Sequence, residues 1–341
     1  MTKLRWVTGM LALMTAIVGT LASASAQDRS LTKVIFSLDF IPLGRHAPWY
    51  AAIAEGYFKD AGLDVSIIPG QGGAQVIQAV EAGTADLGFM GVPEVALARA
   101  GGAKIKMVAV NYQKAPIAVF SLDSGANVTS AKQLEGLTLG SGSGSFTPKI
   151  IAGFMAQQGL DSHSLHVVDI APQARASALL TKQVPAIEFF VMSKTGLEAG
   201  AKDINATLRT FLLGDHGLEL YSNGIGVRED YLTKNPDLVK RFVRAALQGW
   251  KFSFENPDQA AQDLIKFVPS LKADVIKSEI EIVRNLAATP DVEQHGLGWI
   301  DPAKVKANLD FVVRYIGVNG TPPEAKDLYE GGFLPSPPIK P

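Results

Sequence analysis

The sequence contains no cysteine. That excludes disulfides, thiolate catalysis and a lipid-modified cysteine behind a leader, while leaving an oxidising compartment open, because a chain this long can bury enough apolar surface to need no covalent staple. It also lacks an excess of either charge: 32 Lys and Arg stand against 33 Asp and Glu. Such a balance offers no field for nucleic acid or an anionic membrane. Beyond the first residues no apolar run reaches spanning length, since each is cut by a charge, Gly or Pro within about a dozen residues. No Walker A sequence and no G-x-S-x-G elbow occurs.

Among what is there, the N-terminus reads as an export signal. Lys3 and Arg5 are followed by an apolar stretch from Trp6 to Ala22, interrupted by Gly9, Thr15 and Gly19, and then by Ala24-Ser25-Ala26. A short basic start, an apolar run and small residues before a cut predict a secretory signal peptide over 1–26, cleavage near Ala26 and a periplasmic location. Losing Lys3 and Arg5 leaves 30 basic residues against 33 acidic, a net charge of −3.

After the leader, strand and helix patterns alternate. Val34 to Leu38, Val65 to Ile68, Leu87 to Met90 and Ile105 to Val110 read as buried strands, with helical spacing between them. Pro48 opens a helix and Gly62 is placed to end it. A second series runs from Ile117 through Leu137-Thr138-Leu139, a helix from Phe146 to Gln157, Leu165 to Val168, a helix around Ala174 to Leu180, and Ala186 to Phe190. Strands separated by helices predict mostly parallel sheets, and two such series predict two lobes of an α/β protein. Past Tyr221 the chain reads as helical, and Val239, Phe242, Val243, Ala246, Leu247 and Trp250 form an apolar stripe that predicts packing in the core.

Several spaced motifs occur in order: Leu38-Asp-Phe-Ile-Pro42, Gly44-Arg-His-Ala-Pro-Trp-Tyr50, Glu55-Gly-Tyr-Phe-Lys-Asp-Ala-Gly-Leu-Asp-Val65 and Glu81-Ala-Gly-Thr-Ala-Asp-Leu-Gly88, then, more weakly, Lys132 to Gly140 and Tyr231 to Val239. This set resembles the substrate-binding proteins of the importers for thiamine-pyrimidine precursors, nitrate, taurine and alkanesulfonates, and the fungal pyrimidine synthase that shares their fold. The resemblance implies a type II periplasmic-binding fold: two lobes joined by two crossovers with a ligand cleft between, a small-molecule ligand, an ABC permease as partner, a monomer, and no catalysis. On that reading lobe 1 is 27–116 with 217–341, lobe 2 is 117–216, and the crossovers lie near Lys114 to Phe120 and Gly214 to Ser222. One departure is visible: Val184-Pro185-Ala186 stands where relatives carry Val-Asp-Ala. Proline suits a strand's first residue or edge, so the sheet survives without that acidic side chain.

In open α/β sheets, ligands bind beyond the carboxyl ends of the strands. That selects five loops: Asp39 to His46, Pro69 to Gly73, Phe89 to Glu94, Ser141 to Phe146 and Glu188 to Met192. Ser141-Gly-Ser-Gly-Ser145, before a predicted helix, is rich in donors, and Ser141, Ser143, Gly144 and Ser145 are candidate contacts for a carboxylate, sulfonate or carbonyl oxygen; a plain strand-to-helix turn is the alternative. Its glycines do not match a dinucleotide fingerprint. The resemblance to pyrimidine-binding proteins, which carry an acidic or amide residue and then an aromatic at the end of the first strand, makes Asp39 a candidate acceptor for a ring amine and Phe40 a stacking partner, with inter-lobe packing as the alternative for Phe40. Glu188, also at a strand end, is a second candidate acceptor, with a solvated loop charge as its alternative. Phe89 and Met90 complete the candidate set.

His46 matches a histidine that the fungal synthase consumes. The cysteine-rich iron segment of that enzyme is missing here, the corresponding stretch reading Gly214 to Asn223, so only a binding or gating role carries over to His46. No cofactor or metal is expected. His163 and His166 lack a third ligand at metal spacing and read as surface residues. The favoured ligand is a flat, amine-bearing heterocycle of the thiamine-pyrimidine type; a sulfonate, nitrate or aromatic carboxylate held with help from Arg45 is the alternative.

Overall fold

The computed structural model describes residues 30–341, so the expected signal peptide lies outside the described residues. There are two five-stranded sheets. The first contains β1 (Thr32–Ser37), β2 (Leu63–Ile68), β3 (Leu87–Gly91) and β4 (Ile105–Val110). The second contains β5 (Ile117–Leu122), β6 (Thr138–Ser141), β7 (His166–Asp169), β8 (Ala186–Phe190) and β9 (Leu208–Leu212). The chain then returns to the first sheet as β10 (Asn223–Arg228). Strand orders are β2-β1-β3-β10-β4 and β7-β6-β8-β5-β9.

The sheets are mixed rather than mostly parallel. β10 runs antiparallel to β3 and β4, and β5 antiparallel to β8 and β9. The cause is the crossovers. A strand that enters a sheet from the cleft end runs against neighbours whose carboxyl ends point at the cleft. Hydrophobic periodicity reports that a strand is buried and says nothing of its direction.

Burial explains the local pattern. β3 and β5 are buried along their whole length, as strands covered on both faces must be. The predicted helix from Pro48 to Gly62 is two helices, Ala47–Ala54 and Tyr57–Asp60, broken at Gly56, whose φ of 78° is left-handed. Pro185 sits just ahead of β8, where its missing N–H costs no ladder bond.

The apolar stripe of the 20-residue helix Pro236–Glu255 is sealed in the core. Its Trp250 meets Trp49 edge-on at 5.4 Å and its Phe242 meets Phe36 at 5.3 Å. Each such side chain contributes roughly 1.5–3 kcal/mol by leaving water, so this helix clamps the first sheet and with it the loops that follow β1 and β3. Among the described residues no helix is long and apolar enough to cross a membrane.

Candidate functional site

A narrow cleft with a cavity of about 40 Å³ lies between the sheets. Each of the five loops selected above supplies part of its wall: Asp39, Phe40 and Arg45; Gly72 and Gly73; Glu94; Ser145; and Glu188, Phe189 and Phe190. Arg175, Thr147, Ser193 and Asn223 come from outside those loops.

Asp39 follows β1 and is the centre of a buried polar knot. Arg45 Nη1 lies 3.1 Å from Oδ1 and 2.9 Å from Oδ2, His46 Nε2 donates to Oδ1 at 2.9 Å, and Asn223 Nδ2 donates to Oδ2 at 2.9 Å. Burial alone would raise the Asp39 pKa, but the Arg45 charge and the His46 bond outweigh it and the carboxyl sits below its ordinary value. Arg45 is raised despite its burial, because Asp39 lies against it.

The tautomer of His46 follows from its partners. Leu43 N–H donates to Nδ1 at 3.0 Å, so the ring proton is on Nε2, facing Asp39. Burial, reinforced by the Arg45 charge, lowers the His46 pKa to about 4, and the ring is neutral at physiological pH. With no exposed surface and both nitrogens bonded within the protein, His46 braces the turn from Leu43 rather than facing the cleft.

The second sheet carries a matching knot. Glu188 Oε1, on β8, accepts from Ser141 Oγ at 2.7 Å, Ser145 Oγ at 3.2 Å and Arg175 Nη1 at 2.8 Å. Burial raises the Glu188 pKa, and the Arg175 charge and the serine hydroxyls only partly offset that. Ser145 Oγ also accepts the N–H of Thr147, the first residue of helix Thr147–Gln157. Two serines of the donor-rich loop thus face Glu188, and the third, Ser143, is exposed, its N–H held by Asp169 Oδ1 at 2.9 Å.

Phe89 and Met90, read from the sequence as cleft residues, are core. Phe89 packs on Trp49, Tyr112 and Trp250, and Met90 belongs to the other apolar cluster. Because β3 is buried on both faces, its side chains point into the layers, and the chain reaches the cleft only at Glu94.

Aromatic rings from both sheets meet across the cleft. Phe40 lies edge-on to Phe189 at 5.8 Å, Arg45 covers Phe190 at 4.9 Å, and Arg175 lies 5.5 Å from Phe40 and 5.2 Å from Phe189. The main chain bridges as well: Ala74 N–H donates to the Gly144 carbonyl at 3.1 Å. Gly72 permits that approach, for at its φ of +137° a Cβ would sit 2.2 Å from the Gly144 oxygen.

Sequence reasoning missed Arg175, Glu94, Phe189, Phe190 and Asn223 as individual residues. For Arg175 a signal existed, a lone arginine among Ala and Leu in Pro172–Leu180, which reads as a buried charge awaiting a partner. Asn223 opens a glycine-containing strand, and nothing in its neighbours marks it. His163 and His166 lie on the outside, in a turn and on the exposed edge strand β7.

Two sheets flanked by helices, with a polar and aromatic cleft at their strand ends and two crossings between them, define the type II periplasmic-binding-protein fold, the architecture of the solute-binding components of ABC importers. Residues 44–260 match the model described as "NMT1/THI5 like", and the chain belongs to that family. The riboflavin-binding protein RibY of Chloroflexus aurantiacus is 27% identical over 331 residues, covering 94% of this chain and 91% of that protein. A formylaminopyrimidine-binding protein of Halalkalibacterium halodurans is 25% identical over 244 residues, covering 71% and 73%. Pyrimidine phosphate synthases are also among the relatives. The alkanesulfonate-binding protein SsuA of Xanthomonas axonopodis pv. citri, solved with MOPS, superposes with a TM-score of 0.70 at 16% identity, over 88% of this chain and 98% of that one.

Proposed function

We propose that this protein is an exported solute-binding protein that captures a flat nitrogen heterocycle, first of all a thiamine-type aminopyrimidine, and delivers it as a monomer to an ABC permease. The observation that carries this is the wall of the cleft: Phe40, Phe189 and Phe190 converge from both sheets on a polar set of three carboxyls, Asp39, Glu94 and Glu188, against two guanidiniums, Arg45 and Arg175. Aromatic faces suit a planar ring. The charge set has no positive excess, which disfavours nitrate, sulfonate or carboxylate, since an anion would enter beside three carboxyls set against two guanidiniums.

Two of the relatives named as binding proteins are named for flat nitrogen heterocycles, which supports the class. A flavin is the second reading, because the relative named for riboflavin matches over nearly the whole chain. Synthase chemistry is disfavoured by His46, which is sealed and doubly hydrogen-bonded. The two lobes, 27–116 with 217–341 and 117–216, close on the ligand, with Ala74 and Gly144 meeting when shut.

Titration calorimetry decides between the ligand classes. A hydroxymethyl- or formylamino-pyrimidine, or riboflavin, is expected to give saturable heat, whereas taurine, an alkanesulfonate and nitrate are not. Heat from the anions alone would overturn the reading.

A further inference from the structure

The three carboxyls of the cleft are not equivalent. Asp39 is neutralised by Arg45 and Glu188 by Arg175. Glu94 takes part in no ion pair among the described residues, and the one hydrogen bond its side chain makes is from the N–H of Gly91 to Oε2. Its residue is 8% exposed, and Oε1 is left without a protein donor at the cleft wall. A largely buried carboxyl with no cation beside it and one oxygen free at the cleft wall is placed to bond a group of the ligand.

The surroundings fix what that partner can be. Gly73, which begins helix Gly73–Glu81, makes room for the group, since a Cβ there would lie 2.6 Å from the Glu94 carboxyl carbon. Burial above all pushes the Glu94 pKa up to about 7, the Gly91 bond opposing it and the carboxylates of Asp39 and Glu188, the charged groups that act on it, adding to the rise. Near neutrality the group therefore holds a proton much of the time. A protonated carboxyl presents one O–H donor beside one oxygen acceptor, in one plane.

We propose that Glu94 is the specificity-determining contact of the cleft, pairing in-plane with a ring edge where an N–H donor adjoins an acceptor atom. That edge is the amino group and adjacent ring nitrogen of an aminopyrimidine, or the N–H and neighbouring carbonyl of a flavin's pyrimidine ring. The inference rests on the heterocycle reading and deepens it: Asp39 and Glu188, which sequence reasoning made the acceptors, build and charge-balance the walls, while Glu94 reads the ligand.

The test is calorimetry on the full mature chain, wild type, Glu94→Ala and Glu94→Gln, with four probes. These are 4-amino-5-hydroxymethyl-2-methylpyrimidine, the same compound without its amino group, riboflavin, and riboflavin methylated on the ring N–H. Wild type is expected to favour the intact edge of its preferred ring over the blocked one by roughly 10- to 100-fold. Glu94→Ala should lose the same factor for the intact probe and bind both members of the pair alike. Glu94→Gln, which also offers a donor beside an acceptor, should recover part of the loss.

A purely structural helix-start role would lower affinity for both members and keep their ratio. A preserved ratio in Glu94→Ala, or equal binding of intact and blocked probes by wild type, would overturn the assignment while the heterocycle reading stands. If wild type binds neither ring system, the heterocycle reading itself falls and takes this inference with it. Should Glu94→Ala fail to fold, the wild-type ratio of intact to blocked probe decides alone.

Discussion

Glu279 gives a prediction that needs no ligand. It lies on helix Ala273–Ala287, is 4% exposed, and its side chain accepts the Arg45 N–H at 2.8 Å. Burial raises its pKa from 4.5 to about 7, even with the Arg45 bond and charge pulling the other way. An acid whose pKa is higher in the folded state binds more protons there than in the unfolded chain across that window. Folding stability must then fall as pH rises from about 4.5 to 7, by roughly 3 kcal/mol at ~1.4 kcal/mol per tenfold change in proton affinity. Below the window both states are protonated and the cost vanishes. Glu279→Gln keeps an oxygen for the Arg45 N–H and cannot ionise. Urea unfolding of wild type and variant, followed by circular dichroism from about pH 5 to pH 8, should show a variant of similar stability at the acid end and more stable by about 3 kcal/mol at the alkaline end. Parallel profiles, or a gap that widens toward acid, would refute the reasoning.

Gly72→Ala places a methyl against the Gly144 carbonyl in a backbone conformation that disfavours side chains, so capture of the heterocycle should weaken by roughly 10- to 100-fold. Small-angle scattering of the variant with ligand should show a larger radius than wild type with ligand, and equal radii with equal affinity would discard the closure contact. Asp39→Ala strips Arg45 and His46 of their shared acceptor and should cost about 3–5 kcal/mol, because it leaves a buried guanidinium uncompensated. Denaturant unfolding near neutral pH measures this, and a loss under about 1 kcal/mol would show that Arg45 finds another partner.

How much of the site could be read without coordinates depends on what each residue's signal encodes. The five cleft loops were legible because a strand-to-helix alternation states where strands end, and ligands of such folds gather there. Asp39 and Glu188 were legible as charges at those ends. Their actual partners were not: Arg175 reaches Glu188 from a helix that begins at Pro172, and Asn223 reaches Asp39 from 184 positions away. The same limit misplaced Phe89 and Met90, since an apolar residue at a strand end looks alike whether it faces a cleft or a layer of helices.

Periodicity, turn residues and ordered motifs settle what is encoded locally: the strands and helices, the buried stripe ending in Trp250, and the family to which the chain belongs. Packing in three dimensions settles the rest. It turns the crossing strands antiparallel, pairs each of two carboxylates with its own arginine, seals His46, and leaves Glu94 without a cation among the described residues. The reason is that a charge is worth little until its surroundings set its dielectric and its neighbours, and those neighbours come from segments far apart in the chain.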